Sequence, residues 1–282
     1  MRYWILSLLL LVSCASNELA DKTPEERKFD LYYAHGTESL LLKDYSQALS
    51  SLLKAQELND KDSKLHNNLG MAYYFKGQFQ LAIKHLKKSI EYDEKNSDAK
   101  NNLAGVYFKM GELNLAKNIY YDVLNDLVYK YQFRTNYNLG LISLRENNPT
   151  VARDFFIKSI KEKEDYCPAH YELGLIYYKT FQYTEALKHF QSASNGTCVS
   201  SPAPHYRQAQ ALLKLERNEE ALHKLKMIIE KFPNSSFAVM AQNRLREVNI
   251  AEIENKSDKK GKQTNNVKID DDPNKILEAV QF

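Results

Sequence analysis

The sequence is poor in turn formers. Only 9 Gly and 7 Pro occur among 282 residues, too few for the many tight turns of an all-β fold. It also lacks an excess of charge of either sign. Lys+Arg 39 against Asp+Glu 36 leave a net charge of +3. A nucleic-acid binder normally concentrates positive charge on one face, so no nucleic-acid partner is expected. No apolar run approaches the roughly 20 residues a transmembrane helix needs. No glycine-rich phosphate loop, HExxH or GxSxG is present, and those motifs carry the commonest phosphate, zinc and serine-hydrolase chemistries. The expectation is therefore no enzyme, no catalytic residue, no cofactor and no metal site. What the chain does have is a globular balance, 43% hydrophobic and 27% charged, with enough apolar surface to bury a core.

The N-terminus is the most apolar stretch. Met1-Arg2 is a minimal positive segment, and Tyr3 to Val12 is apolar. That length suits the h-region of a secretory signal peptide. It runs into Leu11-Val12-Ser13-Cys14, which resembles a bacterial lipobox. The resemblance implies residues 1–13 as a lipoprotein signal peptide, cleavage before Cys14, and a diacylglyceryl thioether on the Cys14 sulfur. Residues 14–28 would then be the lipidated N-terminus and a polar tether. Acyl chains on Cys14 would supply the membrane affinity, since each buried methylene adds about 0.8 kcal/mol. The bland alternative is a secreted soluble protein with a chance cysteine. Ala15, where an inner-membrane retention signal usually shows Asp, favours the outer membrane with the protein facing the periplasm.

The rest of the chain is periodic. Leu69-Gly70 with Tyr73, Gly77, Ala82 and Leu86 recurs 34 residues later as Leu103-Ala104 with Tyr107, Gly111, Ala116 and Tyr120. Leu139-Gly140 leads to Ala152 and Phe156, and Leu173-Gly174 to Tyr177, Ala186 and Phe190. His35-Gly36 leads to Ala48 and Leu52, and a weaker copy holds Ala209, Ala221, Leu225 and Pro233. Within a unit, Leu65, Leu69, Ala72 and Tyr73 recur at helical spacing. This pattern resembles the tetratricopeptide repeat: Leu-Gly at positions 7 and 8, an aromatic at 11, Ala at 20, an aromatic or Leu at 24 and Pro at 32. The resemblance implies an all-α, right-handed superhelical solenoid over residues 29–233, with six helix-turn-helix repeats starting at Phe29, Ser63, Ser97, Phe133, Cys167 and Pro202. One pair of helices cannot bury both faces, whereas stacked pairs can. Residues 234–249 read as a capping helix. Residues 250–282 break the pattern with a loose lysine run and Asp270-Asp271-Asp272-Pro273, a composition expected to stay disordered; Lys275 to Phe282 is apolar enough for a short docking motif or is a solvated end.

With Cys14 set aside, Cys167 and Cys198 remain. They fall at position 1 and position 32 of the fifth repeat, and in a helical hairpin the start of the first helix and the end of the second lie together. A disulfide is expected, with a reactive or metal-binding pair as the rival. The histidines recur instead: His66 and His170 at position 4, His85 and His189 at position 23. That recurrence reads as separation along the scaffold rather than convergence on one site.

What remains is binding. The tetratricopeptide resemblance implies a wall lined by positions 2, 5, 9, 12 and 13 of each first helix. It assigns the partner-binding groove to Tyr33, Asn67, Met71, Tyr74, Phe75, Asn101, Phe108, Arg134, Tyr137, Leu141, Leu144, Tyr171, Leu175, Tyr178 and Tyr206. Such a wall suits an apolar or amphipathic segment, although some of these aromatics could instead pack between repeats.

A narrower resemblance follows. Six repeats directly behind a lipobox, Asn101-Asn102-Leu103, the longer step through Leu124 to Phe133, and Asn138-Leu139-Gly140-Leu141 with Ala152, Phe155 and Phe156 are similar to the type IV pilus biogenesis and stability family (PilF, PilW and Tgl). The family implies a monomeric pilotin that binds a secretin subunit and brings it to the outer membrane. The alternative is a generic tetratricopeptide adaptor lipoprotein serving outer-membrane protein or peptidoglycan assembly.

Overall fold

The computed structural model describes residues 22–195 and 198–258. Thirteen α-helices and no strand lie among the described residues. In chain order they are α1 (Pro24–Leu41), α2 (Tyr45–Leu58), α3 (Ser63–Phe75), α4 (Phe79–Tyr92), α5 (Ser97–Met110), α6 (Leu113–Leu124), α7 (Gln132–Arg145), α8 (Pro149–Glu162), α9 (Cys167–Lys179), α10 (Tyr183–Ala193), α11 (Pro202–Lys214), α12 (Asn218–Lys231) and α13 (Ser236–Asp258). Odd-numbered helices α1 to α11 are the first (A) helices of six hairpins, and the even-numbered ones are the second (B) helices. The segment 1–13, Cys14 with its expected lipid, and the tail beyond Asp258 lie outside the described residues.

Short polar side chains start these helices. Thr23 Oγ1 accepts from the Glu26 N–H at 3.2 Å, and Glu26 returns a carboxylate to the Thr23 N–H at 2.7 Å. With Pro24 at the first helical position, this capping box starts α1 inside the stretch read as a tether. Asp44, Asp62, Asn96 and Asn148 cap α2, α3, α5 and α8 in the same way. Each A helix then turns through a left-handed residue: Lys43 (φ 62), Gly77 (φ 74), Gly111 (φ 86), Asn147 (φ 57), Phe181 (φ 62) and Glu216 (φ 59). All six occupy the same place in the repeat. Gly77 and Gly111 adopt it without a Cβ penalty; a side chain there costs about 1–2 kcal/mol. At the far end, α13 continues to Asp258, past the expected end of the capping helix at 249.

The chain divides into two compact units, Met1–Ile142 and Ser143–Phe282. In the first, each A helix packs on its own B helix, and α2 and α4 pack on the A helix that follows. Ala48, Leu52 and Ala55 of α2 meet Leu65, Leu69 and Ala72 of α3 in one fully buried cluster. Ala82, Ile83 and Leu86 of α4 meet Leu103 and Val106 of α5 in a second. Each such leucine contributes about 2 kcal/mol by leaving water. In the second unit the α9–α10 and α11–α12 hairpins and α13 share one core, from Tyr171, Leu187 and Phe190 through Leu212 and Leu225 to Phe237 and Ala241. Cys167 and Cys198 form a disulfide with Cα atoms 6.2 Å apart, tying the start of α9 to the chain that leaves α10.

Hairpin closure depends on one small residue per A helix. A Cβ added at Gly70 would stand 2.6 Å from Leu86 Cγ and 3.3 Å from the Ala82 carbonyl oxygen. At Gly105, one residue on from the equivalent position, the nearest atom is Tyr120 Oη at 3.6 Å. Gly70→Ala should therefore cost about 1–3 kcal/mol through overpacking. Gly105→Ala should gain up to about 1 kcal/mol from helix propensity. Urea midpoints of the two variants test this, and shifts of the same sign would refute the close-approach argument.

Candidate protein-binding wall on the A helices

The A helices of the first unit are tied edge to edge by amide side chains. Asn68 Nδ2 donates to Thr37 Oγ1 at 2.9 Å and to Tyr33 Oη at 3.4 Å, joining α3 to α1. Asn102 Nδ2 donates to Asn67 Oδ1 at 2.8 Å, joining α5 to α3. Thr135 Oγ1 donates to Asn101 Oδ1 at 3.0 Å, joining α7 to α5. Side-chain hydrogen bonds between buried groups are worth about 1 kcal/mol each and fix register as well. Of the groove residues named from the sequence, Asn101 is buried inside this network, 8% exposed, and so serves the scaffold. Asn67 is half-buried on it.

Around the amides the first unit presents aromatic and apolar groups. Tyr33 stacks on Phe29 with ring centroids 5.9 Å apart. Burial holds its hydroxyl pKa above the ordinary value, and that of Tyr74 likewise. Phe75 is 47% exposed. It stacks on Tyr45 of α2 at 4.6 Å and meets Tyr74 edge-on at 5.2 Å. Met71, Phe108, Tyr137 and Leu141 are half-buried on the same helices. Arg134 is exposed, its guanidinium 4.7 Å from the Tyr131 ring. These residues share a wall that is aromatic and amide-rich.

The second unit corrects the sequence reading more sharply. Tyr171 and Tyr206 are buried, 4% and 6% exposed. Tyr171 packs on Phe190 at 5.9 Å and Tyr206 on Phe237 at 5.8 Å. Tyr171 packs inside its own α9–α10 hairpin and Tyr206 between α11 and α13, so neither ring is free for a partner. Leu144, Leu175 and Tyr178 stay half-buried. Beside them lie two charged groups that the sequence reading missed. Glu172 is 8% exposed and Arg207 5%. Burial raises the Glu172 carboxyl to about 7, against the opposing pull of Lys179 and Arg207. Arg207 Nη1 donates to Gln210 Oε1 at 2.8 Å, and its Nε has no partner.

The histidines do not gather at one site, but positions 4 and 23 meet within each repeat, a pairing the repeat pattern left unseen. His66 Nδ1 is 2.9 Å from His85 Nδ1, and His170 Nδ1 is 3.0 Å from His189 Nδ1. A carbonyl can only accept, so His66 Nε2 donates to Asp60 O at 2.8 Å and His170 Nε2 to Glu164 O at 2.9 Å. His85 and His189 must then carry their proton on Nδ1 and donate it to the partner ring. Tyr73 and Tyr177 stack on the outer ring of each pair, at 5.2 and 5.3 Å. Burial, followed by the facing histidine, lowers His85 and His189 to about 4. Each pair joins the A helix of its repeat to the B helix, as a clasp; among the described residues no three His, Cys, Asp or Glu side chains group as a metal would need.

With this geometry in view, two segments, residues 63–96 and 205–235, match tetratricopeptide-repeat family models. No curated protein matches the sequence. Among solved structures, PilF of Pseudomonas aeruginosa superposes with a TM-score of 0.66 at 20% identity, covering 79% of this chain and 100% of PilF. PilW, a type IV pilus biogenesis factor, gives 0.64 at 16%, covering 78% of this chain and 97% of PilW. A chain of the Cut9–Hcn1 heterotetramer of the APC/C gives 0.66 at 17%, covering 83% of this chain and 45% of that one. Two segments of the chain thus carry tetratricopeptide repeats, within an all-helical fold shared with solved repeat proteins. PilF, PilW and the Cut9–Hcn1 chain share this helical fold with it.

Two pH effects of opposite sign follow. His85 and His189 are depressed in the folded state, so their stabilisation is complete above about pH 6.5 and is lost as pH falls towards 4. The loss should be on the order of 1–3 kcal/mol for each clasp. A His85→Gln/His189→Gln variant keeps the N–H donors without the titration, so its melting temperature should fall less between pH 7 and pH 4.5 than that of the parent. Parallel curves would refute the clasp. Glu172 is raised in the folded state, so its cost appears as pH rises from about 4.5 through 7. Glu172→Gln should stabilise the protein at pH 8, on the order of 1–3 kcal/mol, and leave it unchanged at pH 4. A loss of stability at pH 8 would show that the carboxylate is well paired.

Proposed function

We propose that this chain is a lipid-anchored outer-membrane scaffold that acts as a pilotin, binding subunits of a type IV pilus secretin and positioning them for assembly. The observation that carries the reading is a lipobox-like Leu11-Val12-Ser13-Cys14 just ahead of a repeat array that spans the full length of PilF and 97% of PilW. Under this reading the acyl chains on Cys14 supply membrane affinity, and the A-helix walls hold the partner. Phe75, Tyr74, Met71, Tyr137, Leu141, Leu175 and Tyr178 offer apolar contact, and the buried Asn101, Tyr171 and Tyr206 hold the wall in shape. The task is binding and placement, which a scaffold performs without chemistry.

Fold likeness by itself does not select the pilus. The Cut9–Hcn1 chain superposes as well as PilF does, which favours keeping one second reading, an adaptor lipoprotein for another envelope assembly.

Deleting the gene should remove heat-stable secretin multimers from isolated outer membranes while secretin monomer persists. Cys14→Ala should leave the secretin bound and misplaced, and Phe75→Ala with Met71→Ala should weaken binding with localisation intact. Multimers unchanged by deletion would reject the pilotin reading and leave the adaptor reading, whose partner site-specific crosslinking from position 75 would then identify.

A further inference from the structure

Three connections lead from a B helix to the next A helix in the first unit, and one differs in kind. Asn59–Asp62 and Asp93–Asn96 are short and charged, and Asp62 and Asn96 are used to cap α3 and α5. The connection from Asn125 to Tyr131 is longer and exposes two aliphatic side chains, Leu127 at 88% and Val128 at 91%. Its acidic residue faces inward: Asp126 Oδ2 accepts from Ser97 Oγ at 2.5 Å and Oδ1 from the Val128 N–H at 3.2 Å. Tyr129 Oη donates to Asp98 Oδ1 at 2.8 Å, pinning the loop to the start of α5. Tyr131 is flanked by two cations, Lys130 Nζ and Arg134 Cζ, each 4.7 Å from its ring centre. The outward surface is thus an aliphatic tip, an aromatic collar and a basic rim.

We propose that the 125–131 loop is a membrane-contacting element, which seats Leu127 and Val128 in the headgroup region of the bilayer that holds the lipid on Cys14. This rests on the lipid-anchored reading above. Aliphatic tips, interfacial tyrosines and Lys or Arg beside anionic headgroups are what an interfacial element needs. A pair of aliphatic side chains is far too small to hold a protein partner alone. It is large enough to act beside an existing tether, where the second contact is effectively intramolecular.

Position agrees with composition. The hydrogen bonds from Asn68 of α3 to Tyr33 of α1 and from Asn102 of α5 to Asn67 of α3 join the same two repeat positions, which sets these A helices side by side with their starts at one end of the unit. The chain from Cys14 enters α1 at that end, and the loop is pinned to Asp98 at the start of α5. The stretch from Cys14 to Lys22 can span up to about 30 Å. Neighbouring packed helices lie about 10 Å apart, so lipid and loop can reach one surface together.

The test uses the mature lipidated protein on vesicles of phosphatidylethanolamine with phosphatidylglycerol. The sequence has a single tryptophan, Trp4, which signal-peptide cleavage removes, leaving a dark background. Val128→Trp should shift its emission to shorter wavelength on vesicles and be quenched by brominated lipid. Leu42→Trp, at the opposite end of the hairpins and 74% exposed in the parent, should do neither. Adding Lys130→Glu should abolish any dependence on phosphatidylglycerol content. A protein that binds vesicles while the indole at 128 stays in water overturns the loop and leaves the anchor standing. A protein that fails to bind vesicles overturns the anchor and the loop together. An indole at 128 that is buried only when a secretin subunit is added overturns the proposal in favour of a protein contact.

Discussion

A methyl group at Gly70 would stand 2.6 Å from Leu86 Cγ, and Gly36 meets Leu52 in the same way. This close approach of A helix to B helix is what the rest of the structure depends on. It lets Ala82, Ala116, Ala152, Ala186 and Ala221 be buried to zero exposure, so the large side chains of each hairpin project toward the neighbouring hairpins. Leucine at position 7 then packs against the B helix before it, as Leu69 does against Leu52 and Ala55. Because each repeat buries its faces only with its neighbours, stability is close to a sum of hairpin and neighbour contributions. A local clasp such as His66–His85 or Cys167–Cys198 therefore strengthens one hairpin without dictating the shape of the array.

The same spacing made much of the fold legible in the sequence. Helices begin at Ser63, Ser97, Cys167 and Pro202, where the period alone places repeat starts. The first helix was harder to place because its start has no counterpart one period away. The signal was present, in Thr23-Pro24 followed by Glu26, but a local cap is weak beside a strong repeat. The histidine clasps were hidden for the opposite reason. Positions 4 and 23 look distant along the chain, and only the antiparallel hairpin brings them within 2.9 Å. A repeat frame assigns faces; it does not say which polar atoms on a face find each other.

The wall residues divide along that line. Position 5 of the A helix holds Tyr33, Asn67, Asn101 and Tyr137 in the first unit and Tyr171 and Tyr206 in the second. Asn67 and Asn101 reach an adjacent A helix by a hydrogen bond, Tyr206 reaches α13 by packing, and Tyr171 packs into its own hairpin. At Asn101, Tyr171 and Tyr206 the position is therefore structural although its register suggests a ligand contact, whereas Tyr33 and Tyr137 are half-buried. The side chains left to a partner sit one turn further on, at Met71, Tyr74, Phe75 and Phe108 in the first unit and at Leu175 and Tyr178 in the second. Glu172 and Arg207 add buried charge to the second unit. Buried charges with incomplete partners seldom raise stability.

Orientation links these features. A lipid on Cys14, one point of attachment, would fix distance from the membrane and leave tilt open. A second contact at the 125–131 loop would remove most of that freedom by holding the A-helix starts toward the bilayer. The hairpins of the first unit would then stand upright, with Leu42, Phe75 and Met110 at the far turns and the A-helix wall open sideways. A scaffold that must deliver a membrane-bound subunit gains from this geometry. Under the proposed reading, the partner segment would be presented at a set height and angle, which would raise its effective concentration for assembly without any change in intrinsic affinity.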